Sequence, residues 1–286
     1  MRVSPYNRYV NAIQILDAKD FLAITEAFCS GDPIGTGLVM SVVDSIASGH
    51  RVYESNSFWI AKDSEKVVGL AMRTAPYGYV VVPMSTQACE TLAQAICDID
   101  PDFPDVAGNR KSVEDFFVAT GKVPGETENE LIYELHQLRA PVSLGSIRQA
   151  TMNDFDLVND WMQEFTEETG IFAFDAENAV RLAIVRGGDF LLNLNGEDVS
   201  LGGHSKILEL ASRKFGRIGP IYTPKHFRKN GYASVITAHI SQLLLDQGAV
   251  VTLYTQATNS TSNKIYQDLG FQLVAENLRI KCVPTF

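Results

Sequence analysis

The residues with the most chemical promise lie in one short run, YTPKHFRKNGYAS, from Tyr222 to Ser234. It gathers Lys225, His226, Arg228 and Lys229 around Gly231 and Ala233, between an apolar segment and a helical pattern. Strand, glycine-containing loop and helix, in that order, make an anion-binding arrangement. The first amides of a helix have no partner within it and carry partial positive charge, so they can donate to phosphate oxygens. Gly231 removes a Cβ where a bulky ligand must approach, and Ala233 keeps the next turn small. The dipole contributes roughly 0.3 to 1 kcal/mol, up to about 2 in a partly buried site, so several amides and cations must act together on a pyrophosphate. Taken alone, R-x-x-G also reads as a basic turn before a helix. Neither GxxxxGK[ST] nor GxGxxG is present, so nucleotide hydrolysis and a dinucleotide fold lose support.

The elements that must position this run can be read in outline. RIGPIY is a strand before it, and Pro220 within that strand removes a ladder donor, which implies a bulge or an unpaired edge. ASVITAHISQLLLDQG is the helix after it, closed by Gly248. AVVTLYTQ, TSNKIYQDLG and GFQLVAE follow as strand, helix and strand, with Gly270 closing the second helix. Upstream, Thr151 caps a helix whose Phe155, Val158, Trp161, Met162 and Phe165 recur at helical spacing. DFLLNLNGEDVSLGGHS is a hairpin turning at Asn195-Gly196, and SKILELAS is another strand.

The first half holds helices from Asp20 to about Cys29 and through GLVMSVVDSIASG. A hairpin, FWIAKDSEKVVGLAMRT, comes next, then strand YGYVVVP and a helix, STQACETLAQAICDI, capped by a serine. One short helix, SVEDFFVAT, sits between Pro101 and Gly125. NELIYELHQL is a strand and RAPVSLGS a linker. The two hairpins align without gaps, Phe58 on Phe190, Glu65 on Glu197 and Val67 on Val199, which favours two related halves. The halves differ where chemistry would sit, because YVVVP enters its helix through MSTQA with no glycine and no basic residue.

Composition sets wider bounds. The 286 residues suffice for two domains, and 45% apolar with 20% charged residues is globular usage. A formal charge of −10 argues against coating nucleic acid. The four cysteines, Cys29, Cys89, Cys97 and Cys282, form neither a CxxC pair nor a ligand spacing, so we expect a reducing, cytoplasmic setting and no metal. The start of the chain has no apolar signal-like core, and no stretch is long enough to span a bilayer.

The segment IGPIYTPKHFRKNGYAS resembles the acetyl-coenzyme A motif of the GCN5-related N-acetyltransferases (GNAT), [Q/R]-x-x-G-x-[G/A], here Arg228 to Ala233. VVTLYTQATNSTSNKIYQDLGFQLV is similar to the family's next strand, asparagine-bearing loop, helix and closing strand. The resemblance covers about Gly145 to Phe286, and the first half looks like a diverged copy. It implies an α/β protein of three layers, with a mixed, splayed central sheet flanked by helices, present twice. A degenerate N-terminal domain would occupy 1–140 and a catalytic domain 145–286.

By this resemblance, acetyl-CoA serves as cosubstrate. Its pantetheine arm would lie between splayed strands at Ile221, Tyr222 and Thr223, and its phosphates on Arg228, Lys229, Asn230, Gly231, Tyr232, Ala233 and Ser234. An amide near Ile221 or Tyr222 would polarise the thioester carbonyl. Asn259 and Asn263 match positions that bond the cofactor, though both also suit a turn and a cap. Tyr266 matches the tyrosine that donates a proton to the leaving thiolate; otherwise it is a packing residue before Leu269-Gly270. The glutamate that many members carry before the cofactor loop is absent from RIGPIYTP. Glu209, His204 and His226 are substitutes open to an ordinary structural reading, and water could serve instead. Glu164, Glu167 and Glu168 could attract a cationic amine or form a solvated face. The implied partner is an amine on a small molecule or peptide, with no nucleic acid and no membrane. A non-catalytic coenzyme A-binding sensor or scaffold is the alternative.

Overall fold

Caps and turn residues set the limits of most elements in the computed structural model, which describes residues 10–171, 175–210 and 212–283. The chain forms two compact units, Met1–Glu130 with Ala275–Phe286, and Leu131–Val274.

In the first unit, β1 (Val10–Ile15) precedes α1 (Ala18–Gly31) and α2 (Pro33–Ala47). Asp17 starts α1 by accepting from the Lys19 and Asp20 amides. Asp32 starts α2 by accepting from Gly35, with Pro33 in the first turn, where its missing N–H costs nothing. Strands β2 (Asn56–Asp63), β3 (Lys66–Thr74) and β4 (Tyr79–Val81) lead to α3 (Thr86–Ile99), which Ser85 caps as its sequence suggests. Then come β5 (Asp105–Asn109), α4 (Arg110–Thr120) and the start of β6 (Pro124–Leu135). The sheet runs β1-β2-β3-β4-β5, and β5 also pairs with Asn277–Lys281 of the last strand, β13 (Phe271–Cys282). Neither β1 nor β5 has an equivalent in the sequence reading. β5 lies in the Pro- and Asp-rich stretch and is too short to show periodicity.

The second unit begins with Leu131–Leu135 of β6, followed by β7 (Ser146–Gln149), α5 (Phe155–Thr169) and α6 (Ala176–Val185). Thr151 and Asp154 form a reciprocal cap before α5. Next are β8 (Asp189–Leu194), β9 (Glu197–His204), β10 (Leu208–Leu210), β11 (Arg213–Tyr222), α7 (Tyr232–Asp246), β12 (Ala249–Gln256) and α8 (Ser260–Asp268). The strand order is β12-β11-β9-β8-β7, with β10 on the margin of β11. Only β11–β12 is parallel among these pairs; β7–β8, β8–β9, β9–β11 and β10–β11 are antiparallel. Side-chain alternation gives the sheet two apolar faces. Leu191, Leu201 and Tyr222 pack with Val158 and Trp161 of α5 and Ile184 of α6. Leu192, Ile218 and Leu253 pack with Ile236 and Ile240 of α7 and Tyr266 of α8. The result is a mixed α/β sheet between helical layers.

The structure corrects the alignment of the two hairpins by one residue. Each turns through two residues, Ser64-Glu65 and Asn195-Gly196, and each shifts register once, between Ala61/Lys62 and Leu192/Asn193. Matching the turns and the shifts sets Phe58 against Asp189 rather than Phe190, and Met72 against Gly203. Gapless matching favoured the two phenylalanines, but a one-residue offset exchanges the faces of a strand.

Candidate functional site

The two units differ at one pair of parallel strands. In the first, β4 pairs with β5 along its whole length, Tyr79–Val81 on Val106–Gly108. A Cβ on Gly108 would fall on the Val81 carbonyl oxygen, so the strands leave no gap. In the second, β11 pairs with β12 over Lys214–Ile218 on Ala249–Leu253, and no further pair forms between them among the described residues. Beyond this point β11 holds to β9 alone, through Ile221 on Gly202 and Tyr222 on Leu201, after a register shift between Ile218 and Ile221. Pro220 lies within that shift, as expected of a residue without an N–H to donate. The edge of β11 that faces β12 is thus released over its last residues.

The released edge runs into the loop before α7. Thr223 and Pro224 lead to a 3-10 turn at Lys225–Phe227; Arg228 is then extended and Lys229 has φ 68°. Asn230 ties the loop to itself, donating from Nδ2 to the carbonyls of Phe227 (3.1 Å) and Arg228 (3.3 Å). Gly231 takes φ 80° as the N-cap of α7 and supplies no side chain to its first amides. A Cβ there would meet no protein atom within 4 Å, so the space in front of the helix is open. Tyr232, Ala233 and Ser234 form the first turn and are half-buried. The contrast with α3 is direct, because Ser85 Oγ accepts from Ala88 N and Ser112 Oγ accepts from Met84 N.

The cations of the loop do not all point outward. Arg228 donates from Nε to the Thr223 carbonyl (2.8 Å) and from Nη2 to Glu168 (2.6 Å). Lys225 lies 3.7 Å from the same glutamate. Burial works against the Glu168 carboxylate, yet Arg228, Lys225 and Tyr222 together hold its pKa below the ordinary value. Lys229 is exposed, and His226 is exposed with its ring centroid 4.0 Å from that of Phe227.

Tyr222 is the residue whose surroundings differ most from the sequence reading. Its side chain turns onto α5 between Trp161 and Phe165, and its hydroxyl donates to Glu164 (2.5 Å) and approaches Glu168 at 3.3 Å. Burial first, and then these carboxylates, push its pKa up. Glu164 and Glu168 are therefore fastened to the end of β11 and are not a freely solvated face; a contact 58 residues away in sequence leaves no periodic signal. Ser200 adds a tie from the other side. Its Oγ donates to the Tyr222 carbonyl (3.0 Å) and lies 2.8 Å from Thr223 Oγ1.

At the far side of the gap, Asn259 caps α8 by accepting from Ser262 N (3.1 Å). Asn263 donates to the carbonyls of Gln256 and Ala257, both at 3.3 Å, while its Oδ1 is buried with no protein partner. Tyr266 is 9% exposed, with its ring 6.1 Å from that of Phe271. Burial pushes its phenol up to about 12, with the Ser262 hydroxyl opposing. Of the other candidates, Glu209 is exposed on β10. His204 stacks on Phe190 at 6.0 Å on the α7 face, Nδ1 is 2.8 Å from the Ser205 carbonyl, and burial lowers its pKa. No cluster of three or more His, Cys, Asp or Glu suited to a metal occurs among the described residues. No helix among them is long and apolar enough to cross a membrane.

Residues 204–280 match the family model described as FR47-like protein. No curated protein matches the chain. Solved structures are similar over nearly all of it. An acetyltransferase of the GNAT family from Colwellia psychrerythraea has a TM-score of 0.66 at 10% identity, covering 96% of this chain and 100% of the other. A tandem GNAT protein from the clavulanic acid biosynthesis pathway has a TM-score of 0.60 at 11% identity, covering 97% and 100%. A GCN5-related N-acetyltransferase from Kribbella flavida has a TM-score of 0.56 at 14% identity, covering 88% and 96%. The chain has the GCN5-related N-acetyltransferase fold, with an FR47-like segment holding the β11 loop, α7, β12 and α8.

Proposed function

We propose that the Leu131–Val274 unit binds acetyl-CoA and transfers its acetyl group to an amine. The observation that carries this reading is the released edge of β11 running into the uncapped, glycine-headed start of α7. An extended arm with amide groups can add to that edge as a further strand, and a pyrophosphate can take the first amides of α7. The open space at Gly231 and the partnerless Asn263 Oδ1 both fit a ligand carrying phosphates and N–H donors. Residues 221–223, 228–234, Asn259 and Asn263 would hold the cosubstrate.

The reaction needs a neutral amine, a polarised thioester and a protonated leaving group. A main-chain amide near Ile221 or Tyr222 would polarise the carbonyl. The amine nitrogen attacks the carbonyl carbon and loses one proton to solvent, the C–S bond breaks, and Tyr266 gives its phenolic proton to the departing sulfur and regains one from solvent. With its pKa at about 12 the phenol is fully protonated near neutrality, but its driving force for proton transfer is small. Calorimetry with acetyl-CoA, paired with thiol release across an amine panel, tests the proposal. Binding without release under any amine would favour the sensor reading, and no binding would remove both.

A further inference from the structure

One row of the β-sheet in the second unit has exchanged bulk for charge. Counted from the hairpin turn, the pair Phe58–Met72 in the first unit corresponds to Asp189–Gly203 in the second. Phe58 and Met72 are each 2% exposed, and Phe58 packs on Phe21 of α1 at 5.2 Å. Asp189 is only 5% exposed, so a carboxyl group has been placed where the related unit buries a ring. Gly203 has no side chain of its own, and the Asp189 carboxyl group takes that space. A Cβ there would lie 2.5 Å from Asp189 Oδ1, 3.3 Å from the Gly188 carbonyl and 3.4 Å from Pro220 Cδ. The carboxyl thus leans across β9 towards Pro220, where β11 shifts register just past its last pair with β12.

We infer that Asp189 accepts the proton of the attacking amine, which approaches the thioester across the α5–α6 face of the sheet over Gly203. This inference rests on the acetyl-transfer reading. The ammonium gives one proton to the Asp189 carboxylate, directly or through one water, and becomes a neutral amine. Its nitrogen forms the C–N bond as the C–S bond breaks. The second amine proton balances the one delivered to coenzyme A sulfur, and the Asp189 proton passes to solvent. The position supplies what RIGPIYTP lacks, a carboxylate that leans over β9 towards Pro220 of β11.

The electrostatics agree. Burial raises the Asp189 pKa to about 6, against a smaller pull downward from Arg186, so near pH 7 it is ionised yet basic enough to take a proton. Arg186 follows α6, Glu164 and Glu168 of α5 meet this face at Tyr222, and His204 of β9 faces the other way.

The test is thiol release from acetyl-CoA with glucosamine, spermidine and lysine methyl ester, measured from pH 5.5 to 10 on the full chain. Asp189→Asn should lower kcat/KM about 100-fold at pH 7, abolish the limb near pH 6 and leave the Kd for coenzyme A unchanged. The deficit should shrink at pH 10, where the amine is neutral without help; a merely structural defect would not recover. Gly203→Ala, which crowds the carboxyl group from the opposite strand, should also lower kcat/KM with coenzyme A affinity retained. Wild-type release with an undiminished Asp189→Asn profile would overturn the assignment alone. Coenzyme A binding without release by wild type under any of these amines would overturn the acetyl-transfer reading and this inference with it.

Discussion

At the scale of single residues, two ionisable groups sit in apolar surroundings with opposite consequences for testing. Tyr266→Phe removes only a hydroxyl from a site 9% exposed, so the fold and coenzyme A affinity should survive. If the phenol protonates the leaving thiolate, kcat should fall at the low end of about 10²- to 10⁴-fold, with the KM for acetyl-CoA little changed. Turnover within about twofold of wild type, with chemistry rate-limiting, would leave Tyr266 a packing residue. Asp189 has a stability signature of its own. Its pKa is about 6 when folded against 3.8 unexposed to the fold, so the native state holds the proton more tightly. Stability from this group is therefore fully present below pH 4 and is lost as pH rises through 6, by up to about 3 kcal/mol. Urea unfolding of wild type and Asp189→Asn at pH 4.5 and 7.5 should show the variant gaining on wild type at the higher pH. A constant difference would mean that the carboxyl group is not buried in its charged form.

At the scale of elements, the loop before α7 makes the strongest demands on backbone shape. Gly231→Val would force a β-branched residue to φ 80° and put its side chain into the space before the helix. Coenzyme A binding should be abolished while the melting temperature falls only a few degrees; unchanged affinity in a folded variant would show that phosphates bind elsewhere. Helix α5 makes a second demand, since Glu168 holds Arg228 at 2.6 Å and Lys225 nearby. Glu168→Gln keeps a hydrogen-bond acceptor for Arg228 but removes the charge that competes with a phosphate. Coenzyme A should bind about threefold tighter or better, with a steeper dependence on salt. Weaker binding would mean that the glutamate aims Arg228 at the ligand. Much of this level was legible in sequence, because Asn195-Gly196, Gly248 and Gly270 act through their own backbones and the Ser85 hydroxyl acts on an amide three residues on. The tie from Tyr222 to Glu164 and Glu168 was not, since nothing local in either segment specifies it.

For the whole molecule, we expect one coenzyme A per chain. β4 and β5 close on each other, Ser85 and Ser112 occupy the amides around the start of α3, and no glycine opens that helix. Calorimetry giving two sites per chain would defeat this expectation. The sequence alone determined the repeated α/β plan, the strand–loop–helix that suits phosphate, and the glycines at helix ends, because periodicity and φ preference are local properties of a chain. The tertiary structure decided three other matters. It placed the last pair of β11 with β12 at Ile218, it turned Arg228 and Tyr222 towards α5, and it set Asp189 across from Gly203. Each depends on residues far apart in sequence, and the first and third on which residue of one strand lies opposite which residue of another. A slip of one position reverses every face, and the sequence alignment of the hairpins made that slip where two phenylalanines competed for the same place.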